Sequence, residues 1–296
     1  MKKLIQCVPN FSEGRDKEKI EKIIDSFRGV EDLKLLDYSY DNDHNRCVVT
    51  IIGTPESLKA SLLVAFGKAK KLIDMTKHTG QHPRMGAVDV CPFIPIKNTN
   101  LKECDALAKE IGKAINEEHD MGFFFYEKSA STTLRQNLAK LRKGQYEEME
   151  EKTKNPKWAP DLGEFKVNTG ITAIGARMPL IAFNVLLDTP NLEIATKIAK
   201  AVRHLSGGLR FVKGIGIDMP ERSITQVSMN LTDYTKTPMY RVFELIKIEA
   251  KRYGVNILGS ELIGLAPMDA FIQTTEYYFG IENLDYNQAL EKHLME

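Results

Sequence analysis

The chain has 296 residues, with 41 Lys and Arg against 40 Asp and Glu, so it is long enough for two cores and its formal net charge of +1 is too small to draw nucleic acid. Hydrophobic residues make up 43% and charged residues 27%, ordinary globular levels that exclude a low-complexity or disordered chain. The cysteines (Cys7, Cys47, Cys91, Cys104) form no CxxC pair or zinc pattern, and MKKLIQCVPNF is too short in apolar residues for a signal peptide or membrane span, so a reduced cytoplasmic protein is expected.

Leu4 to Pro9 reads as a strand ending at NFSEG, and a helix follows over Lys17 to Phe27, with Ile20, Ile23, Ile24 and Phe27 on one face. Strands are expected at Leu33 to Tyr38 and Arg46 to Ile52, joined by the polar connection Ser39 to Asn45. A helix from Thr54 to Met75 carries Leu58, Leu62, Ala65, Ala69 and Leu72 on one stripe, with Pro55 near its start. Then come the polar loop at His78, a buried strand from Ala87 to Ile96, a helix from Leu101 to Asn116 and a strand from Gly122 to Tyr126. Residues 128 to 160 begin as a polar helical stretch and pass into the run EEMEEKTKNPK (147–157), which looks like a solvated surface segment, and Phe165 to Arg177, rich in small residues, looks like a loop or extended connector.

LIAFNVLL from Leu180 is an apolar run suited to a strand buried on both faces. A helix opened by Thr189-Pro190 runs to His204. Leu209 to Ile217 and Arg222 to Leu231 are strands, Pro238 to Tyr253 a helix and Val255 to Ile263 a strand. Both halves thus read strand, helix, strand, strand, helix, strand, the order of the split βαβ unit. The expected fold is α+β, two ferredoxin-like sandwiches spanning 1–177 and 178–296.

The chemistry concentrates in HTGQHPRMGAVDVCPFIP, from His78 to Pro95. His78 and His82 have helical Hx3H spacing, but Gly80 and Pro83 argue for a shaped loop instead. An imidazole titrates near neutrality, so His82 is the candidate proton shuttle, with a cation from the HPR sequence beside it favouring its neutral form. The plain alternative is a histidine satisfied by loop carbonyls. A metal held by His78, His82, His44, Asp41 and Asp43 is the next reading, against which stand the missing HExxH helix and the turn-forming habit of acidic loops. Asn10 would hold a substrate or cap the following helix, a task open also to Ser12 or Glu13. Arg46 and Arg84 would clamp a carboxylate or form surface ion pairs. The glycines of SGGLR and KGIGI lack dinucleotide or P-loop spacing, and no RNP-like strand is present.

CVPNFSEG, DYSYDNDHNRCVVTIIG, HTGQHPRMGAVDVCPFIP, WAPDLG, IGAR, LIAFN, QVSMNLTDY and GSELIGLAP, spread over nearly the whole chain, resemble the glutamate formiminotransferase family. The resemblance implies transfer of the formimino group of N-formimino-L-glutamate to N5 of tetrahydrofolate in histidine degradation, use of 5-formyltetrahydrofolate as well, and no metal. It implies a homodimer whose two subdomains hold folate in a cleft between them. Animal members carry a cyclodeaminase domain after the transferase, and with the sequence ending at Glu296 only the transferase part is expected. The family's catalytic histidine falls on His82. Its folate-contacting segment falls on Gly163, Glu164, Phe165, Lys166, Val167, Asn168, Thr169 and Gly170, which is shorter here and lacks the family's tryptophan. Ser39 stands where the animal enzymes have aspartate, leaving Asp37 and Asp41 to orient the histidine. Asn10, Arg46 and Arg84, with Lys166, are expected to hold the substrates. A non-catalytic folate-binding module and a metal-dependent formimino hydrolase are the competing readings.

Overall fold

Proline sets the first break in the sheet. In the computed structural model, which describes residues 2–294, β1 (Leu4–Cys7) and β2 (Asn10–Phe11) are two pieces of one strand interrupted at Val8 and Pro9. Pro9 has no N–H to give to a ladder, yet its carbonyl accepts the Val49 N–H at 3.0 Å, so the strand bends without losing its place. The chain divides into two units, Met1–Arg177 and Met178–Glu296.

In the first unit α1 (Lys17–Ile24) starts at Asp16, whose carboxylate caps the N–H groups of Glu18 and Lys19. It buries Ile20, Ile23 and Ile24, each worth roughly 1.5–3 kcal/mol on burial. β3 (Leu33–Asp41) and β4 (Arg46–Gly53) form a hairpin. α2 (Pro55–Leu72) is capped by Thr54 and begins with a proline, where the absent N–H costs nothing. β5 (Val88–Lys97) follows, then α3 (Leu101–His119), opened by a capping box between Asn100 and Glu103, and β6 (Gly122–Phe125). Strand order runs β3, β4, the β1/β2 strand, β5. That is the antiparallel order of a ferredoxin-like unit, with α1, α2 and α3 burying Cys47, Val49 and Ile51 of β4 on one face.

Two corrections to the sequence reading lie between residues 128 and 177. Ile171–Ala176 is not a connector but β7, parallel to both β5 and β6 and inserted between them. The run 147–157 is not simply solvated: the helical stretch expected here forms α4 (Leu138–Leu141) and α5 (Gln145–Lys154), and Met149 of the run is buried with Leu141 in a separate core cluster with Val90, Phe124, Tyr126 and Ala173. Arg135 and Asp161 pin this segment to the sheet through a nearly buried pair at 2.5 Å, and Asp161 also accepts the Phe125 N–H at 2.8 Å. The segment covers part of the sheet face opposite α1–α3.

The second unit repeats the ferredoxin-like arrangement. Its elements are β8 (Ile181–Leu187), α6 (Leu192–Val202), β9 (Val212–Met219), β10 (Ile224–Leu231), α7 (Met239–Arg252) and β11 (Ile257–Ile263), with sheet order β11, β8, β10, β9. Ala195, Ile198, Ala199 and Val202 of α6 and Val242, Ile246 and Ala250 of α7 follow helical spacing into one core. A final helix, α8 (Met268–Phe279), had no counterpart in the sequence reading.

Candidate functional site

The start of β4 and β5, the end of β2 and the segment before β7 meet at one end of the first sheet, because β2 pairs antiparallel with both β4 and β5 and β7 runs parallel to β5. The loops gathered there carry the candidate residues. Asn45 ties three of them together. Its Oδ1 accepts the Gly14 N–H at 2.9 Å, its Nδ2 donates to the Thr79 carbonyl at 2.9 Å, and its own carbonyl faces His78. Gln81 N–H donates to Asp43 at 3.0 Å, so the 39–45 and 78–86 loops do lie side by side. Gly80 permits this closeness: a Cβ there would sit 2.4 Å from the His44 carbonyl oxygen.

The two histidines of the motif have different surroundings. His78 spends both ring nitrogens on the chain: Nδ1 accepts from Arg84 Nε at 3.2 Å, which leaves Nε2–H to donate to the Asn45 carbonyl at 2.9 Å. Burial and the Arg84 charge then hold it below the ordinary imidazole range. His82 is half-buried, and neither ring nitrogen has a protein hydrogen-bond partner among the described residues. Its pKa is pushed down to about 3, first by burial and then by Arg46, Arg142 and His44. The ring is therefore neutral and open to accept a proton. The cations beside it are not the one in the HPR sequence.

Arg84 is a correction. Expected to clamp a substrate carboxylate, it is 7% exposed and clamps Glu147 of α5 at 2.5 and 2.8 Å, while also reaching Gln145, the His78 ring and the His78 carbonyl. All of its N–H directions are spent on the chain. Asp41 is a second correction: its carboxylate accepts from the His44 N–H at 2.6 Å and lies 2.8 Å from His44 Nδ1, so it orients His44 rather than His82. The His44 and His82 rings stand edge to face with centroids 6.3 Å apart. Among the described residues no group of three His, Cys, Asp or Glu side chains is arranged to hold a metal ion.

Strand register places the remaining candidates. Asp37, Ser39 and Asp41 lie opposite Thr50, Val48 and Arg46, and Asn10 also lies opposite Val48, so all share the sheet face away from α1 and α2. Asn10 is buried, and its Nδ2 donates to Val8 O at 3.0 Å rather than capping α1. Asp37 is exposed on that face. Arg46 is half-buried, and burial together with Arg142 depresses its proton affinity. Arg142, at the end of α4, donates through Nη2 to Asp89, which is 1% exposed and also accepts the Met85 N–H at 3.0 Å. Neither Arg142 nor Asp89 was a candidate from sequence. The available signal was Asp89 itself, a carboxylate inside the apolar run AVDVCPF, which requires a buried cation from elsewhere in the chain.

The segment 163–170 packs at the same end of the sheet. Gly163 and Gly170 have positive φ, and a Cβ on Gly170 would sit 2.1 Å from the Met85 carbonyl oxygen. Lys166 and Gly170 exchange backbone hydrogen bonds and close a tight turn. Asn168 accepts from Met75 N–H, Thr169 accepts from Ala87 N–H, and Val167 accepts from the Tyr146 hydroxyl. Phe165 packs against the Tyr146 ring, Glu164 is exposed, and Lys166 pairs with Asp120 at 2.8 Å instead of joining Arg46.

The chain matches the family models described as the formiminotransferase domain, N-terminal subdomain, over residues 4–177 and the formiminotransferase domain over residues 182–294. It is 49% identical to a glutamate formimidoyltransferase of Streptococcus pyogenes serotype M1, covering 100% of both chains. A glutamate formimidoyltransferase of Thermoplasma acidophilum is 42% identical, with 98% of this chain and 96% of the relative aligned. The formimidoyltransferase-cyclodeaminase of Mus musculus is 40% identical over 96% of this chain but only 54% of its own length.

Proposed function

The chain belongs to the formiminotransferase family, and on that premise we propose that it is a glutamate formimidoyltransferase that moves the formimino group of N-formimino-L-glutamate to N5 of tetrahydrofolate. The observation that carries the reading is a neutral imidazole without a protein partner, His82, beside an arginine, Arg46, that has no carboxylate within ion-pair distance among the described residues. One group suits proton transfer and the other a carboxylate-bearing substrate.

In the reaction N5 attacks the formimino carbon and a new C–N bond forms. His82 accepts the proton that N5 loses. As the tetrahedral intermediate collapses, the bond to the glutamate nitrogen breaks and His82 returns the proton to that nitrogen, so the products are 5-formiminotetrahydrofolate and L-glutamate. Asn10, Asp37 and Arg46 line the sheet face next to this step and position the donor. Segment 163–170 is proposed to contact the folate through its backbone and Phe165, with Thr169 and Gly170 fixed against the strand that follows the His82 loop. Arg84 acts on the site only through the loop it holds.

The four cysteines are free and buried, which suits a reducing compartment, and no helix among the described residues is long and apolar enough to cross a membrane. We place the enzyme in the cytoplasm, as a homodimer acting in histidine degradation. Incubation with tetrahydrofolate and N-formimino-L-glutamate should release L-glutamate in step with loss of the donor. A folded protein that releases none removes this reading, and one that binds reduced folate without turnover is a folate-binding module instead.

A further inference from the structure

Arg142 lies in a polar helical stretch, yet its side chain is only 16% exposed. Its anchor is Asp89, and because Asp89 also accepts the Met85 N–H, the guanidinium is tied to the strand into which the His82 loop runs. Its Nε–H is buried without an acceptor among the described residues. Arg46 stands on the β4 strand, on the face shared with Asn10 and Asp41, and Asp41 is occupied by His44. Arg142 lies close enough to both Arg46 and His82 for its charge to lower the proton affinity of each. The carboxylates that act on Arg46 are Asp89 and Asp41, but Asp89 is paired with Arg142 and Asp41 with His44, and neither is within ion-pair distance of Arg46 among the described residues, which leaves the Arg46 charge without a direct partner in a poorly hydrated place. Holding the fold does not require that surplus, since Asp89 is already satisfied by one cation and one N–H. The missing partner is an anion.

We propose that Arg142, together with Arg46, binds a carboxylate of the glutamyl group presented to His82, which makes Arg142 a substrate-binding residue of this site. The inference rests on the transferase reading given above. Such a carboxylate has two sources, the formimino donor and the glutamyl tail of reduced folate, and both offer the same geometry to a guanidinium pair. Binding has a second effect. The charged and titratable groups facing His82 are Arg46 from β4, Arg142 from the end of α4 and His44 from the β3–β4 turn. A bound carboxylate offsets the first two, so the imidazole becomes a stronger base only when substrate is in place.

The test uses the full chain and its R142Q and R142K variants. R142Q should raise KM for N-formimino-L-glutamate about tenfold or more while KM for tetrahydrofolate stays within about twofold. If the rise falls on tetrahydrofolate instead, and vanishes when 6-methyltetrahydropterin replaces it, the carboxylate bound is that of the folate tail and the site stands. With one cation removed, the acid limb of kcat/KM should move to higher pH in R142Q and stay in place in R142K, a shift that a purely structural role would not produce. Calorimetric titration of glutarate separates this inference from the wider one, because it needs no turnover: wild type should bind it and R142Q should bind it at least about tenfold more weakly. Equal glutarate binding by wild type and R142Q, or binding by neither, overturns the proposal even if the chain is an active transferase. Should R142Q fail to fold, R142K carries the same KM and glutarate measurements, with a smaller loss expected because lysine keeps the charge but not the fork.

Discussion

Arg84 Nε donates to His78 Nδ1 at 3.2 Å, and this one bond decides where the proton sits on that imidazole. With Nδ1 accepting, Nε2 must carry the hydrogen, and it reaches the Asn45 carbonyl that anchors the opposite loop. His78, Arg84, Glu147 and Asn45 form a strut that holds the His82 loop from both sides. Arg84→Met removes several hydrogen bonds made by a buried charge and should lower the free energy of unfolding in urea by about 2–3 kcal/mol. A change below about 0.5 kcal/mol would show that the strut does not carry the loop.

His82 stands apart from this strut, so its removal should leave the fold alone. His82→Ala is expected to lower kcat by about 10²–10⁴, the usual contribution of a positioned acid–base group, with urea unfolding at neutral pH unchanged. Near wild-type glutamate release by the variant would end the proton-shuttle role.

The depressed pKa of His82 makes a stability prediction with a definite sign. In the unfolded chain the imidazole titrates near 6.5, whereas in the folded one it titrates at about 3. Between those values the unfolded state binds more protons, so His82 costs nothing above pH 6.5 and destabilises progressively as pH falls toward 3. The stability of wild type relative to His82→Gln should therefore drop on acidification, with a slope of at most about 1.4 kcal/mol per pH unit. Urea unfolding of both proteins at pH 7, 5.5 and 4.5 measures the difference, in which other acid-sensitive groups cancel. A flat difference contradicts a buried neutral imidazole.

Gly14 approaches the hairpin that carries Arg46. A Cβ there would lie 2.2 Å from the Asp41 carbonyl oxygen and 2.4 Å from the Arg46 nitrogen, both backbone atoms that cannot swing aside. Gly14→Ala should push the start of β4 away from the His82 loop and reduce kcat/KM on the order of 10²-fold, as a displacement of about 1 Å at a reacting centre does. Unaltered kinetics in a folded variant would place Arg46 outside the site.

The elements legible in the sequence are those with a period: the isoleucines of α1, the alternation of β4, the stripe of α2 and the apolar run of β8. From them the split βαβ order of both units follows. β7 was not legible because ITAIGA is buried on both faces, which removes alternation, and its two isoleucines stand among Thr, Ala and Gly, which weakens the apolar run. The anchoring of the 147–157 run was hidden because Met149 is a single apolar anchor among charges. At the site, His82 could be singled out from its loop, but its electrostatic neighbours could not. Arg84 is adjacent in sequence and turned away, whereas Arg142 meets its carboxylate across 53 positions of chain. Residues brought together by strand insertion leave no spacing to read.

The insertion of β7 also orders events in time. The ferredoxin-like part of the first unit has all four of its strands once Lys97 has been made. The Ala87 carbonyl already has the Ser12 N–H, but the Met85 carbonyl and the Ala87 N–H, which end the His82 loop, pair with Ile171 and Thr169, and Gly86 bridges to Gly170. On a ribosome the loop must wait for more than 70 further residues before its last hydrogen bonds can close, a non-local step that is slow by nature. Formation of the scaffold and maturation of the reactive loop are thus separate stages of biogenesis. A nascent chain stalled before residue 171 would hold the sheet without a finished His82 loop.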